Sequence, residues 1–185
     1  EKEPSKAMMV NKNAVSNLIE VSSKKNVKII HISTDFVFNG NSNTPYKTYD
    51  KTGPLSVYGK SKLAGEDLLL ESHIPFIIIR TSWVYSQYQG NFVKTMVNLS
   101  EKANQLSIVN DQFGCPTSAI QIAKAIFLLL DDFNDGKIKS GIYHFSGNKK
   151  CSWFDFSKLI FLISKKIGLI ENNPLLKEIS WKEFK

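Results

Sequence analysis

The sequence predicts an α/β protein built on a parallel, doubly wound sheet. Two short apolar runs rich in β-branched residues, V-K-I-I-H-I-S at Val27–Ser33 and F-I-I-I-R at Phe76–Arg80, read as strands. A helix-length segment, Val57–Ser72, lies between them, and turn-rich stretches set the elements apart. A strand covered on both faces is a near-continuous apolar run, and a helix between two such strands is the crossover unit of a parallel sheet.

The elements follow in order. Met8, Met9, Val15, Leu18, Ile19 and Val21 recur closer to a helical period than to alternation, so Glu1–Lys25 is expected to be helical. Ser33-Thr34-Asp35 falls at the carboxyl end of the first strand, the edge of an open α/β sheet where ligands bind. Phe36–Pro54 carries Asn39-Gly40, Asn43, Pro45, Asp50 and Gly53-Pro54, the composition of a long loop, and loops of this length are often functional. After the second strand, Thr81–Gly90 mixes aromatic and small polar residues, and Asn91 is placed to cap a helix whose apolar face holds Phe92, Met96, Val97 and Leu99. Leu106–Val109 is a candidate strand and Asn110–Thr117 an irregular loop. Ser118 is a candidate cap for the apolar helix Ala119–Leu130, followed by a turn at Asn134–Gly136, a strand at Gly141–Phe145 and a loop at Ser146–Lys150. Ser152 is placed to cap the helix Trp153–Ile167, which Gly168 closes. Beyond Asn173-Pro174 no element is predicted.

At 185 residues and 42% hydrophobic, the chain is about the length of one domain and can bury a core. It has no apolar run of membrane-spanning length and no charged-then-apolar opening, so the expectation is a soluble cytoplasmic protein without a membrane partner. The net charge of +7 comes almost wholly from lysine, spread along the chain, with Arg80 the one arginine. Clustered arginine would suit base reading; this pattern predicts no nucleic-acid partner. Cys115 and Cys151 are far apart and form no metal-ligand spacing, so incidental thiols in a reducing compartment and no metal site are expected. Of the three histidines, His31 and His144 lie in strand-like runs and are expected as packed core residues.

The stretch Y-G-K-S-K, Tyr58–Lys62, opens the helix between the two strands. Residues four apart share a helix face. An ammonium about 4 Å from a phenol stabilises the phenolate by ~4 kcal/mol at a mid-range dielectric. That lowers the phenol pKa by roughly three pKa units, which makes Tyr58 a proton donor and acceptor near neutral pH. Taken alone, Y-x-x-x-K also arises by chance in many helices.

The neighbouring motifs change its weight. S-T-D-F-V-F-N-G, P-L-S-V-Y-G-K-S-K-L-A-G-E, R-T-S-W-V-Y, N-F-V-K-T-M and N-D-Q-F-G-C-P-T, in this order, resemble the extended short-chain dehydrogenase/reductases, most closely the dTDP-4-dehydrorhamnose reductases. The resemblance covers most of residues 8–165 and includes G-I-Y-H-F-S-G before the last helix. It implies a partial Rossmann-like sheet, with 1–82 the carboxyl-terminal part of an NAD(P)-binding domain and 83–185 a smaller, mainly substrate-binding α/β region. The activity implied is reduction of the 4-keto group of a dTDP-deoxyhexose by NADPH or NADH, giving dTDP-L-rhamnose. Thr34 resembles the family's catalytic hydroxyl, which donates to the sugar ketone, and Tyr58 the proton donor. Lys62 resembles the residue that lowers the tyrosine pKa and holds the nicotinamide ribose. Asp35 and Trp83 match positions that face the sugar. The implied partner is a nucleotide-sugar substrate, and a homodimer is left open. Asn91 and Gln112 lie in matching motifs, where capping a helix or tying a loop explains them equally well.

Phe36 departs from the family, which commonly has tyrosine there. None of the ten glycines has the G-x-x-G-x-x-G spacing whose backbone amides hold a cofactor pyrophosphate, so the chain is expected to be a fragment lacking that amino-terminal segment and the carboxyl-terminal end. Two other readings stand beside the reductase. One is a non-catalytic binding subunit like the β subunit of methionine adenosyltransferase, which keeps similar S-x-D-F-V-F and Y-G-K-x-K stretches. The other is a nucleotide-sugar epimerase or dehydratase that shares the hydroxyl, tyrosine and lysine set. Thr34 also suits a strand-end turn, and Trp83 a packed core.

Overall fold

The computed structural model describes residues 3–184. Helix α1 (Pro4–Met8) passes through a π-helical turn (Met9–Asn13) into α2 (Ala14–Lys25). Strand β1 (Ile29–Thr34), a 3-10 turn (Asp35–Val37) and a long loop lead to α3 (Val57–Leu70) and β2 (Phe76–Thr81). Then come β3 (Val84–Tyr85), α4 (Phe92–Ser100), β4 (Gln105–Val109), β5 (Phe113–Gly114) and β6 (Thr117–Ser118). The chain continues through α5 (Ala119–Asn134), β7 (Gly141–His144), β8 (Cys151–Ser152), α6 (Trp153–Lys166), β9 (Leu175–Ile179) and α7 (Trp181–Phe184). Of the helix expected over Glu1–Lys25, Glu1 and Lys2 lie outside the described residues.

The chain forms two compact units, Glu1–Ser82 with Lys124–Phe145, and Trp83–Ala123 with Ser146–Lys185. Residues 124–145 return to the first unit because β7 completes its sheet, pairing in parallel with β2 from Ile77↔Gly141 to Arg80↔His144.

In the first unit the strand order is β1-β2-β7, all parallel, with β1 and β2 in register from Ile29↔Phe76 to Thr34↔Thr81. Val15 and Ile19 of α2 and Leu69 of α3 pack with Ile29, Phe76, Ile78 and Ile142. Ile126, Leu129 and Phe133 of α5 pack with Ile30, Ile77, Ile79 and Tyr143. Alternate strand residues face opposite sides, so helices cover both faces and β2 is buried along its whole length. Each fully buried isoleucine contributes about 1.5–3 kcal/mol of transfer free energy. Lys28 fixes the far end of α5, its ammonium donating to the carbonyls of Phe133 (2.6 Å) and Asn134 (3.0 Å), where a cation also meets the negative end of the helix dipole. β1 begins two residues later than predicted. Val27 is 52% exposed, and its N–H donates to Ser22 O at 3.0 Å, so it still serves the end of α2.

In the second unit α4 and α6 enclose a core of Met96, Ile108, Phe154, Phe156, Ile160, Phe161 and Ile170. Asn91 caps α4 by accepting from Lys94 N at 3.3 Å, and Ser152 caps α6 by accepting from Asp155 N at 3.0 Å. Gly168 closes α6 with φ +70°, its N–H bonded to Lys165 O. β9 and α7 stand where no element was predicted, and β9 pairs in parallel with β4 from Gln105↔Leu175 to Val109↔Ile179. Among the described residues, no helix is long and apolar enough to cross a membrane.

Candidate active site at the carboxyl edge of the sheet

Thr34 ends β1 and starts the 3-10 turn. Its Oγ1 accepts from Phe36 N (3.2 Å) and donates to Asp35 Oδ1 (3.1 Å). Burial raises the pKa of the Asp35 carboxyl, a rise that the Thr34 bond and the amides of Asp35 and Phe36 partly oppose.

Ser56 caps α3, accepting from Gly59 N at 2.9 Å. Gly59 lets the first turn of that helix press on the 3-10 turn, since a Cβ there would fall 2.2 Å from the carbonyl oxygen of Phe36. The approach brings Tyr58, 45% exposed, beside Thr34, with the Phe36 ring edge-on to it at 6.0 Å. Burial raises the phenol pKa above its ordinary value, a hydrogen bond with the Thr34 side chain opposes the rise, and the Asp35 carboxylate adds to it.

Lys62 lies one turn further along α3. Its ammonium donates to the carbonyl of Ile32 at 2.6 Å and stands 3.5 Å from Nε2 of His31. Burial lowers its pKa, and the carboxylate of Glu66 works against that. The expected depression of the Tyr58 pKa by Lys62 is thus not what the structure has: the phenol is shifted upward, and Lys62 is not among the groups that shift it. Four residues at ~100° each leave Lys62 about 40° further round the helix than Tyr58, toward the backbone of β1. His31 is held neutral, its pKa pushed down to about 4 by burial first and by Lys62 second.

Beneath this row lies a buried ion pair that the sequence did not reveal. Glu66 is 0% exposed and Arg80 4%. Arg80 donates from Nη2 to Oε2 at 2.6 Å and from Nε to both carboxylate oxygens at 3.1 and 3.2 Å. Ser33 Oγ donates a short bond to Oε1 of the same carboxylate. Arg80 also donates to Thr48 O (3.3 Å) and lies over the Phe38 ring, which stacks on Tyr46. Removing either charge would strand the other, at a cost of about 3–5 kcal/mol. The available signal was a carboxylate two turns after Tyr58 on one helix face and the lone arginine at a strand end.

Trp83 belongs to the second unit, with φ +46°. One ring face stacks on Trp153 with centroids 3.4 Å apart and planes 6° from parallel. Gly114 occupies the other face: a Cβ there would lie 2.3–2.7 Å from Cε2, Nε1 and Cδ2 of Trp83, and the side taken by Trp153 has no room for it. Both faces of the Trp83 ring are therefore covered. The cysteines, distant in sequence, come near one another, Cys151 in β8 and Cys115 just after β5. Cys151 pairs with Gly114 in β5, and the adjacent Cys115 contributes, after burial and Asp155, to raising the Cys151 pKa. Among the described residues, no three His, Cys, Asp or Glu side chains gather where a metal could be held.

The first unit thus sets two hydroxyls and an ammonium at one end of a parallel strand, groups suited to an oxygen that gains charge during reaction. The chain matches the RmlD substrate binding domain over residues 1–180. It belongs to that family. This RmlD-family chain is 42% identical over 169 residues to the dTDP-4-dehydrorhamnose reductase of Sinorhizobium fredii (strain NBRC 101917 / NGR234), covering 90% of the chain and 57% of that protein. It is 41% identical over 185 residues to the enzyme of that name from Aggregatibacter actinomycetemcomitans, covering 100% of the chain and 63% of that protein. Among solved structures it superposes with a TM-score of 0.89 and 35% identity on dTDP-4-dehydrorhamnose reductase from Bacillus anthracis in complex with NADP. The Clostridium acetobutylicum orthologue gives 0.90 and 32%. Both superpositions cover 100% of the chain and 62% of the other. The RmlD-family chain thus has the Rossmann-like α/β fold, and it spans less than two thirds of the length of these relatives.

Proposed function

We propose that the protein reduces the 4-keto group of a dTDP-deoxyhexose with NADPH or NADH, giving dTDP-L-rhamnose. The observation that carries the reading is the meeting of Thr34 and Tyr58 at the end of β1, with Lys62 one turn along the same helix. The relatives' names supply the substrate class and the NADP complex the cofactor class.

When bound, the cofactor supplies a hydride to the carbonyl carbon. The Thr34 hydroxyl turns from Asp35 Oδ1 to donate its hydrogen bond to the carbonyl oxygen, and Tyr58 gives that oxygen a proton as negative charge builds there. A raised pKa suits this direction: the phenol holds its proton at neutral pH, and an alkoxide is a far stronger base than the phenolate left behind. Lys62 suits a ribose hydroxyl. Its ammonium has three N–H donors, and Ile32 O and His31 Nε2 engage two. Tyr58 and Lys62 are thus assigned to the cofactor as well, and Thr34, Asp35 and Trp83 to the sugar, Trp83 by its ring edge. The first unit then serves the NAD(P) side and most of residues 83–185 the substrate side. The reaction belongs in the cytoplasm, without membrane or nucleic-acid partners, and a homodimer is the assembly to look for.

The test is turnover of a dTDP-4-keto-6-deoxyhexose by the full protein and by Tyr58→Phe. Turnover is expected to fall at least about a hundredfold in the variant. Unchanged turnover would remove Tyr58 from the mechanism, and no reduction by the wild type would end the reductase reading.

A further inference from the structure

We propose that Glu66 is a positioning residue for the Thr34, Tyr58 and Lys62 site: held by Arg80 and Ser33, its carboxylate sets the rotation of α3 and so the angle at which Tyr58 and Lys62 meet the end of β1. The inference rests on the reading of those three residues as the reacting set.

Tyr58, Lys62 and Glu66 succeed one another at intervals of four, each about 40° further round the helix, so they form one slanting row. The row faces β1. Lys62 donates to Ile32 O, and Glu66 accepts from Ser33, the residue before Thr34. Arg80, the register partner of Ser33, holds the same carboxylate from β2. Bidentate pairing of guanidinium with carboxylate has a planar, forked geometry that tolerates little sliding. Rolling α3 would break bonds to two strands inside a sealed interior.

Between Tyr58 and Glu66 no large apolar side chain of α3 is fully buried. The buried residues of α3 are Gly59, Ser61, Gly65, Glu66 and Leu69, so Glu66 is the first large side chain buried after Tyr58. Gly59 and Gly65 allow close approach, since a Cβ would meet Phe36 O at 2.2 Å and Asn11 O at 2.3 Å, but they supply no directional grip. Arg80 carries the same anchor into the loop between β1 and α3 through Thr48 O. One buried carboxylate therefore ties together the helix that presents Tyr58, the strand that ends in Thr34 and the intervening loop.

The test uses Glu66→Asp, which keeps the charge but withdraws it by one methylene, and Ser33→Ala, which removes one bond and leaves the ion pair. Both are made in the full protein. At temperatures where each variant is folded, kcat is expected to fall about ten- to a hundredfold while KM for the sugar nucleotide holds within about twofold. The 13C resonance of the Tyr58 ring carbon bearing the hydroxyl, assigned by its loss in Tyr58→Phe, is expected to move. An anchor of stability alone would lower the melting temperature and leave both kcat and that resonance at their wild-type values, and this result would overturn the proposal. If Glu66→Asp does not fold, Ser33→Ala decides on the same two readouts. If the wild type reduces no sugar, the functional reading fails on its own and the resonance decides: a shift supports positioning by Glu66, and no shift rejects it.

Discussion

Lys62 donates its ammonium to the carbonyl of Ile32 at 2.6 Å. An ammonium drawn to the backbone of β1 acts on the strand before it acts on the phenol one turn back. The Tyr58 phenol is shifted up by burial, with the Thr34 bond as the opposing influence. Lys62→Met, which keeps the apolar stem and removes the charge, is therefore expected to leave the Tyr58 pKa in the free protein nearly unchanged. Reading the spacing alone, one expects a rise of roughly three pKa units. Titration of 13C-labelled tyrosine distinguishes the two, and a change of more than about one unit would show that the ammonium reaches the phenol.

Gly59→Ala tests how closely α3 must approach the turn after Thr34. Alanine is the better helix former by up to ~1 kcal/mol, which favours the substitution. The added methyl, however, would sit 2.2 Å from Phe36 O, a backbone atom that cannot swing aside. Overpacking of this kind costs about 1–3 kcal/mol, so the net expectation is a loss of up to about 2 kcal/mol. Turnover should fall as well, because Tyr58 is the neighbouring residue. Urea denaturation of the variant checks the first expectation: a lower midpoint at unchanged slope supports it, and a higher midpoint refutes the close approach.

The parts of this fold legible in the sequence are those whose signal is local. β2 is an unbroken apolar run because helices cover both its faces, and α3 shows as a helix-length segment set between two strands and bounded by turn-rich stretches. β9 escaped because it has an exposed, mixed pattern, L-L-K-E-I, and exists by virtue of its partner β4, some seventy residues earlier. The two-residue strands β3, β5, β6 and β8 are likewise defined by what they pair with. At the site, Thr34, Tyr58 and Lys62 were readable as residue types at a spacing. The direction of Lys62 and the grip of Arg80 on Glu66 were not, since both depend on which strand backbone lies opposite each turn of α3.

Gly114→Ala probes the second unit. A methyl group 2.3 Å from Cε2 of Trp83 must displace the indole, because Trp153 closes the opposite face at 3.4 Å. Indoles held rigidly in an asymmetric packed site contribute to the aromatic circular-dichroism signal. That signal is expected to diminish in the variant, with a loss of stability of about 1–3 kcal/mol. Retention of both the signal and the stability would mean that Gly114 does not lie against the ring.

His31 gives the protein an acid sensitivity that a single substitution can isolate. Its folded pKa of about 4 lies below the ordinary 6.5 because burial and the neighbouring Lys62 disfavour the imidazolium. As pH falls below 6.5 the unfolded chain protonates this ring while the folded chain resists until about 4, so stability declines across that window and the decline levels off below it. The slope reaches at most about 1.4 kcal/mol per pH unit, and solvent screening at a partly exposed ring reduces it. Carboxylates contribute to the pH dependence as well, among them Asp35, whose pKa burial raises. They contribute equally to wild type and to His31→Gln, whose amide does not titrate, and cancel in the difference. Melting temperatures measured from pH 7 to 4 should therefore fall further for the wild type than for His31→Gln. Parallel curves would mean that the imidazole does not stand in the buried, cation-facing position beside Lys62.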